Sequence, residues 1–200
     1  MKLIMSATSP YVRKVRVCLL ELGLSESVTE VPVTTTPLDS AAEAVAANPL
    51  GKIPALIRDD GPALYDSRVI CRYLDSLAKG GLYPESRIWE ILTLEATADG
   101  ILDAAVAMVY EARFGSPEGK GAAWIEAQWA KIARALHAVE TLWMSHLSGP
   151  LTIGQIGMGC ALDYLDFRHA DRGWRRDVPA LAAWQAEFTG RPAMQATGPE

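Results

Sequence analysis

Three short stretches of this chain carry residue types that can act together on a ligand. Ser9-Pro10-Tyr11, with Arg13, follows an apolar run; Asn48-Pro49-Leu50-Gly51-Lys52-Ile53-Pro54 precedes a second run; Tyr65-Asp66-Ser67 opens a helical pattern. They offer a hydroxyl at a helix start, a strand edge beside a proline, and a carboxylate–hydroxyl pair at another helix start. That inventory suits a small, peptide-like ligand bearing a thiol.

Ser9 stands where a strand hands over to a helix. Backbone N–H groups point outward there without intrahelical partners, and the helix dipole favours an anion. A thiol placed beside such a hydroxyl is drawn toward its thiolate, although a serine before Pro10 also suits a plain N-cap. Tyr11 falls in the first helical turn, a better place for lining an apolar acceptor pocket than for a catalytic phenol. Arg13 lies four residues after Ser9; it either steadies the site electrostatically or is an exposed first-turn arginine.

Lys52-Ile53-Pro54 reads as a strand entry. A cis peptide before Pro54 would leave the backbone of Ile53 as an edge on which a ligand peptide pairs like an added strand. Asp66 and Ser67 fit helix capping. With a ligand present, the Ser67 hydroxyl and N–H would hold a carboxylate and Asp66 an ammonium, the two charges of an α-amino acid group. Glu95, Asp99 and Asp103 recur every four residues. Like charges at that spacing repel slightly, so the stripe is either a wet face or subunit cleft, or a place where Asp99 or Asp103 meets a ligand ammonium.

The elements that must position these groups follow from hydrophobic period and turn chemistry. Lys2 to Met5 reads as a strand. Val12, Val15, Leu19 and Leu22 have helical spacing after Pro10, with Gly23 as the stop. Val28 to Val33 is a second strand, and residues 34–50 hold a short, Ala-rich helix. Ala55-Leu56-Ile57 and Ala63-Leu64-Tyr65 are two further strands around the Asp59-Asp60-Gly61 turn. Ser67 to Leu77 is a helix. This predicts an α/β domain, β-α-β-α-β-β-α, over residues 1–78, a linker over 79–86, and an all-α domain over 87–200. The latter holds long helices over 86–113 and 118–147 and a capping box at Thr152 and Gln155 for a helix to about residue 169. Two short helices close it, one over Pro179 to Thr189 and one from Ala193.

Composition excludes several classes. The net charge is −5, and the 19 basic residues are scattered, so no nucleic-acid partner is expected. No apolar run is long enough for a membrane span, and Met1 to Met5 is too short for a secretion signal. Cys18, Cys71 and Cys160 lie inside predicted helices, lack CxxC spacing and read as buried small hydrophobes of a cytoplasmic protein. His137, His146 and His169 show no ligand spacing with carboxylates, so no metal is expected.

In order and spacing, these stretches resemble the soluble glutathione S-transferase family over essentially the whole chain. Thr8-Ser9-Pro10-Tyr11-Val12-Arg13-Lys14-Val15 looks like the opening of bacterial members with serine before the proline. The Asn48 to Pro54 stretch looks like the approach to the family's cis-proline, and Asp66-Ser67 like its acidic-Ser pair. The resemblance implies a thioredoxin-like N-terminal domain and an all-α C-terminal domain, with glutathione as co-substrate. Ser9 would donate to the glutathione sulfur and Ile53 would pair with the cysteinyl part. Pro54 would be cis, Asp66 and Ser67 would grip the γ-glutamyl end, and Lys52 would neighbour the glycine carboxylate. The implied reaction is a detoxifying attack of glutathione thiolate on a small apolar electrophile, by a homodimer. Tyr11, Met108, Tyr110 and Arg113 are expected to line the acceptor pocket, with Arg13, Asp99 and Asp103 in support. The alternatives are a non-catalytic binding or regulatory relative and a glutathione-dependent isomerase or dehalogenase. Ser9 stands where redox-type relatives have cysteine, so mixed-disulfide chemistry is not expected. Gln155 replaces an Asp common in the capping box. The loop from Thr34 to Leu38 offers no Lys or His to the glycine carboxylate.

Overall fold

Lys2–Met5 forms the first strand, β1, and three of its four residues are buried. The computed structural model describes residues 1–115 and 120–198 of the chain. Contacts divide it into two units, one of Met1–Glu85 with the segment from Pro192, the other of Ser86–Arg191.

In the first unit β1 is the middle strand of three. It pairs in parallel with β2 (Thr29–Pro32), Ile4 opposite Val31, and antiparallel with β3 (Ala55–Ile57), Ile4 opposite Ala55. Ile4 and Ala55 pack with Ala44 and Ala47 of α2 (Ala42–Ala47). Leu3 and its partner Leu56, one residue out of phase and therefore facing the other side, are fully buried. Helix α1 (Pro10–Glu21) buries Val12, Val15, Cys18 and Leu19 and packs against α3 (Ser67–Ala78). Gly23, at φ +68°, turns the chain away from α1 in a conformation that a Cβ would disfavour.

The expected fourth strand is corrected. Ala63 to Tyr65 contributes one bridge, in which Leu64 and Leu56 exchange N–H···O bonds at 2.9 Å each way. Pro62 has no N–H to extend the ladder on one side, and Asp66 caps α3 on the other. The expected linker is ordered: the Asp75 carboxylate accepts from the Leu82 N–H at 2.9 Å.

The second unit is helical. α4 (Ile88–Phe114) packs against α5 (Lys120–Leu142) and α7 (Ile153–His169). Residues 118 and 119, where the sequence pattern starts its second long helix, lie outside the described residues. That pattern also ran through residue 147, but the helix breaks at Trp143 and a single turn, α6 (Met144–Leu147), precedes Gly149-Pro150. α8 (Pro179–Phe188) completes the unit. The last helix, α9 (Pro192–Ala196), belongs with α1 in the first unit, so the expected helical domain ends before it. The Arg13 guanidinium fastens it there, donating to the Met194 carbonyl at 3.1 Å.

α7 is buried on nearly all sides over its first three turns. At Gly154 a Cβ would stand 2.9, 3.1 and 3.2 Å from Cδ2, Cγ and Cβ of the buried Leu94 on α4. Alanine is a better helix former by about 1 kcal/mol, but overpacking a core costs about 1–3 kcal/mol. Gly154→Ala is therefore expected to lower unfolding free energy by about 1 kcal/mol in urea denaturation. A more stable variant would show that Leu94 yields.

Candidate functional site

The strand register gathers the three sequence stretches at one end of the small sheet. β1 ends at Met5 and leads through a turn into Ser9 and α1. β3 runs the other way, with Ala55 opposite Ile4, so Ile53 and Pro54 arrive at that same end. Leu64 pairs antiparallel with Leu56, which carries Tyr65, Asp66 and Ser67 back toward Pro54.

Ser9 is the N-cap of α1, with extended backbone and Pro10 in the first helical position. Its Oγ accepts from the Val12 N–H at 3.4 Å. That bond uses a lone pair and leaves the hydroxyl proton available to a further acceptor. Arg13 is only 5% exposed, so it is not the exposed arginine that the sequence allowed. Tyr11 is half-buried in the first turn.

The Ile53–Pro54 and Tyr65–Asp66 peptides are both cis. Among the described residues no hydrogen bond uses the N–H or C=O of Ile53. The loop before it is braced by Asn48, whose side chain donates to the Lys52 carbonyl at 2.9 Å and accepts from the Leu50 N–H at 3.0 Å. Lys52 is exposed. Asp66 caps α3, accepting from the Arg68 N–H at 3.0 Å, and its second oxygen pairs with the Arg68 guanidinium at 2.8 Å. Partial burial pushes the Asp66 carboxyl up, but the hydrogen bonds and charge of Arg68 outweigh it and hold it below the usual carboxylate range. Ser67 is 2% exposed and opens α3, so its N–H belongs to the helix start, where backbone donors lack intrahelical partners.

The acidic stripe of α4 is not a wet face throughout. Glu95 and Asp99 are 1% and 6% exposed, and Asp103 alone of the three is exposed. Met108 is buried, Tyr110 is exposed beside Phe114 with ring centroids 6.0 Å apart, and Arg113 is exposed. Met108 and Arg113 line one cavity of the second unit, whereas Tyr110 is not part of its wall. All three cysteines are free and buried. No group of three or more metal-ligating side chains occurs among the described residues, and no described helix is long and apolar enough to cross a membrane.

Comparison with known proteins gives a consistent pattern. Residues 8–77 match the family model "Glutathione S-transferase, N-terminal domain", and residues 122–186 match "Glutathione S-transferase, C-terminal domain". The uncharacterized GST-like protein YibF of Escherichia coli K12 is 32% identical, the alignment covering 100% of this chain and 98% of that protein. A glutathione transferase family member from Pseudomonas fluorescens Pf-5, solved with bound glutathione, superposes with a TM-score of 0.96 at 46% identity over 100% of this chain and 98% of that one. A second structure described as a family member from that organism, holding S-(propanoic acid)-glutathione, gives 0.92 at 45% identity over 100% of both chains.

Proposed function

Because the chain belongs to the glutathione S-transferase family, we propose that it conjugates glutathione to an electrophilic small molecule, with Ser9 at the reacting sulfur. The observation that carries this reading is the arrival of Ser9, Ile53-Pro54 and Asp66-Ser67 at one end of the sheet. Glutathione has one chemical handle for each of them.

The γ-glutamyl end carries an ammonium and a carboxylate. Asp66 takes the ammonium; the Ser67 N–H and hydroxyl, at the positive end of α3, take the carboxylate. The cysteinyl part pairs with the backbone of Ile53, as an added strand would, and Lys52 neighbours the glycine carboxylate. The sulfur then lies at the start of α1, where the Ser9 hydroxyl donates to it. A free thiol has a pKa of about 8.5, and lowering it by two pH units corresponds to about 2.7 kcal/mol. A charge-assisted hydrogen bond and a helix N-terminus together supply energy of that order. The thiolate attacks the electrophilic carbon, a sulfur–carbon bond forms, the leaving group departs with its electron pair, and the thiol proton goes to solvent. Tyr11, in the first turn of α1, is the candidate acceptor-lining residue beside Ser9, and Arg13 supports the site. A thioether of glutathione, such as the one held by the Pseudomonas protein, is the class of product this reaction makes. Family kinship makes a homodimer the expected assembly, and three buried free thiols suit a cytoplasmic setting.

Retention on immobilised glutathione, followed by a spectrophotometric conjugation assay, tests the proposal. Retention without conjugation across several electrophiles would instead assign a binding role. Asp66→Ala should raise the KM for glutathione about tenfold with kcat little changed; an unaltered KM would remove Asp66 from the ammonium clamp. Because its pKa is depressed in the fold, the stability Asp66 contributes is present above the unfolded carboxylate's value. It is lost as pH falls through the lower, folded value. The grip on the ammonium is thus retained across the neutral and mildly acidic range.

A further inference from the structure

The second unit contains a cavity of about 330 Å³ where the end of α4, the start of α5 and the turn after α7 meet. Its floor is apolar, formed by Met108, Val109, Ala112 and Ile125. Its wall carries three guanidiniums, those of Arg113, Arg168 and Arg172, against the single carboxylate of Asp171.

The three guanidiniums are not equivalent. Arg172 is engaged: both its terminal nitrogens donate to Glu126, at 2.9 and 2.7 Å, and its plane lies over Trp129. Arg168 packs over the Phe167 ring at 4.0 Å, and Tyr164 is its hydrogen-bonding neighbour. The Nε of Arg168 is buried and has no hydrogen-bond partner among the described residues. Neither Arg168 nor Arg113 forms an ion pair with a carboxylate among the described residues. His169, also in the wall, adds no charge near neutral pH, since burial pushes its imidazole below the ordinary value and its Nε2 is given to the Ala105 carbonyl at 3.0 Å. Once Arg172 is matched by Glu126, Arg113 and Arg168 face Asp171 alone.

A buried guanidinium N–H without a partner is costly to keep. A planar carboxylate satisfies such a group in two-pronged fashion, and an apolar floor beside it calls for a hydrocarbon or aromatic body attached to that carboxylate. We propose that this cavity binds an apolar carboxylic acid, its carboxylate on Arg168 and Arg113 and its body over Met108 and Ile125. As a binding site it stands apart from the transferase reading.

The test uses the full chain and a matched pair of electrophiles, a chloronitrobenzoate and its neutral primary amide. Calorimetric titration without glutathione, so that no reaction occurs, should show the acid binding at least about tenfold more tightly than the amide. Arg168→Met removes the guanidinium while keeping an unbranched apolar side chain and should erase that preference. Ala112→Trp, at an exposed helix position, fills the cavity and should weaken the acid at least about tenfold even if Arg168→Met fails to fold. Equal binding of acid and amide by the parent would overturn the proposal, as would an acid preference that survives in Arg168→Met or is untouched by Ala112→Trp. Adding glutathione separates the two readings, because turnover of the neutral amide by the parent requires only the transferase chemistry. In that reaction a sulfur–carbon bond forms, chloride leaves and the thiol proton passes to solvent. Acid preference without turnover of either compound would uphold the site as one separate from the transferase reaction; turnover without acid preference would overturn the site and keep the transferase.

Discussion

Ser9→Ala is expected to lower kcat/KM for glutathione conjugation by at least about tenfold, and by more with poorly activated electrophiles. The hydroxyl has two tasks. As an acceptor it caps α1, through a 3.4 Å bond from the Val12 N–H. As a donor, in the proposed reaction, it holds the sulfur anion. Losing the first costs about 1 kcal/mol of stability, the usual value of a helix cap, and the bond here is long. Losing the second removes most of the about 2.7 kcal/mol that separates a bound thiolate from an ordinary thiol, which is up to about twentyfold in thiolate at neutral pH. The helix terminus remains in the variant, so its residual rate should stay above background. Ser9→Thr keeps the hydroxyl and should recover much of the loss. Steady-state kinetics at fixed glutathione, with thermal melts as the control, decides it; equal rates in variant and parent would remove Ser9 from the mechanism.

Gln155→Ala is expected to be the most damaging change to the fold among those considered, at about 3 kcal/mol, because it strands several buried groups at about 1–3 kcal/mol each. Gln155 Oε1 accepts from the Thr152 N–H at 2.6 Å and from its hydroxyl at 3.0 Å. Its Nε2 donates at 3.0 Å to the carbonyls of both Leu147 and Gly149. One side chain therefore caps α7 and closes the turn after α6, in a place where water has little access. For a chain of this size the melting temperature should fall by about 6–12 °C. Gln155→Glu isolates the donor half: a carboxylate still accepts from Thr152 but repels the two carbonyls, so it should also destabilise at neutral pH. A loss under about 1 kcal/mol in Gln155→Ala would mean that other donors replace it.

The legibility of these features differs with their range along the chain. α1, α3 and α7 could be read because their signals are local: period-3.6 apolar positions, a proline at the first turn, and caps at Ser9, Asp66 and Thr152. The Thr152–Gln155 spacing identified the capping box, whereas the bonds of the Gln155 amide to Leu147 and Gly149 depend on a turn that spacing does not encode. The Ala63 to Tyr65 run had strand composition, but pairing needs a free donor on both sides and Pro62 withholds one. The burial of Arg13 depends on α9, which lies 181 positions away at Met194. Glu95 and Asp99 looked like a solvated stripe because charge pattern alone does not reveal what packs over a helix. Glu140, which accepts from the Ala180 and Leu181 N–H groups at 3.0 and 2.6 Å, caps α8 from α5, and no local pattern predicts it. The second unit's cavity was invisible for the same reason: Arg113 and Arg168 are far apart in sequence and converge only when α4 and α7 pack.

The central claim concerns the ionisation of a bound thiol, and it can be read directly. Thiolate absorbance of glutathione bound to the protein, titrated against pH, should rise at a value about two pH units below that of free glutathione. In Ser9→Ala the titration should return most of the way toward the free value. A bound thiol that titrates where free glutathione does, in the parent and the variant alike, would contradict the assignment of the Ser9 hydroxyl and the start of α1 to the sulfur.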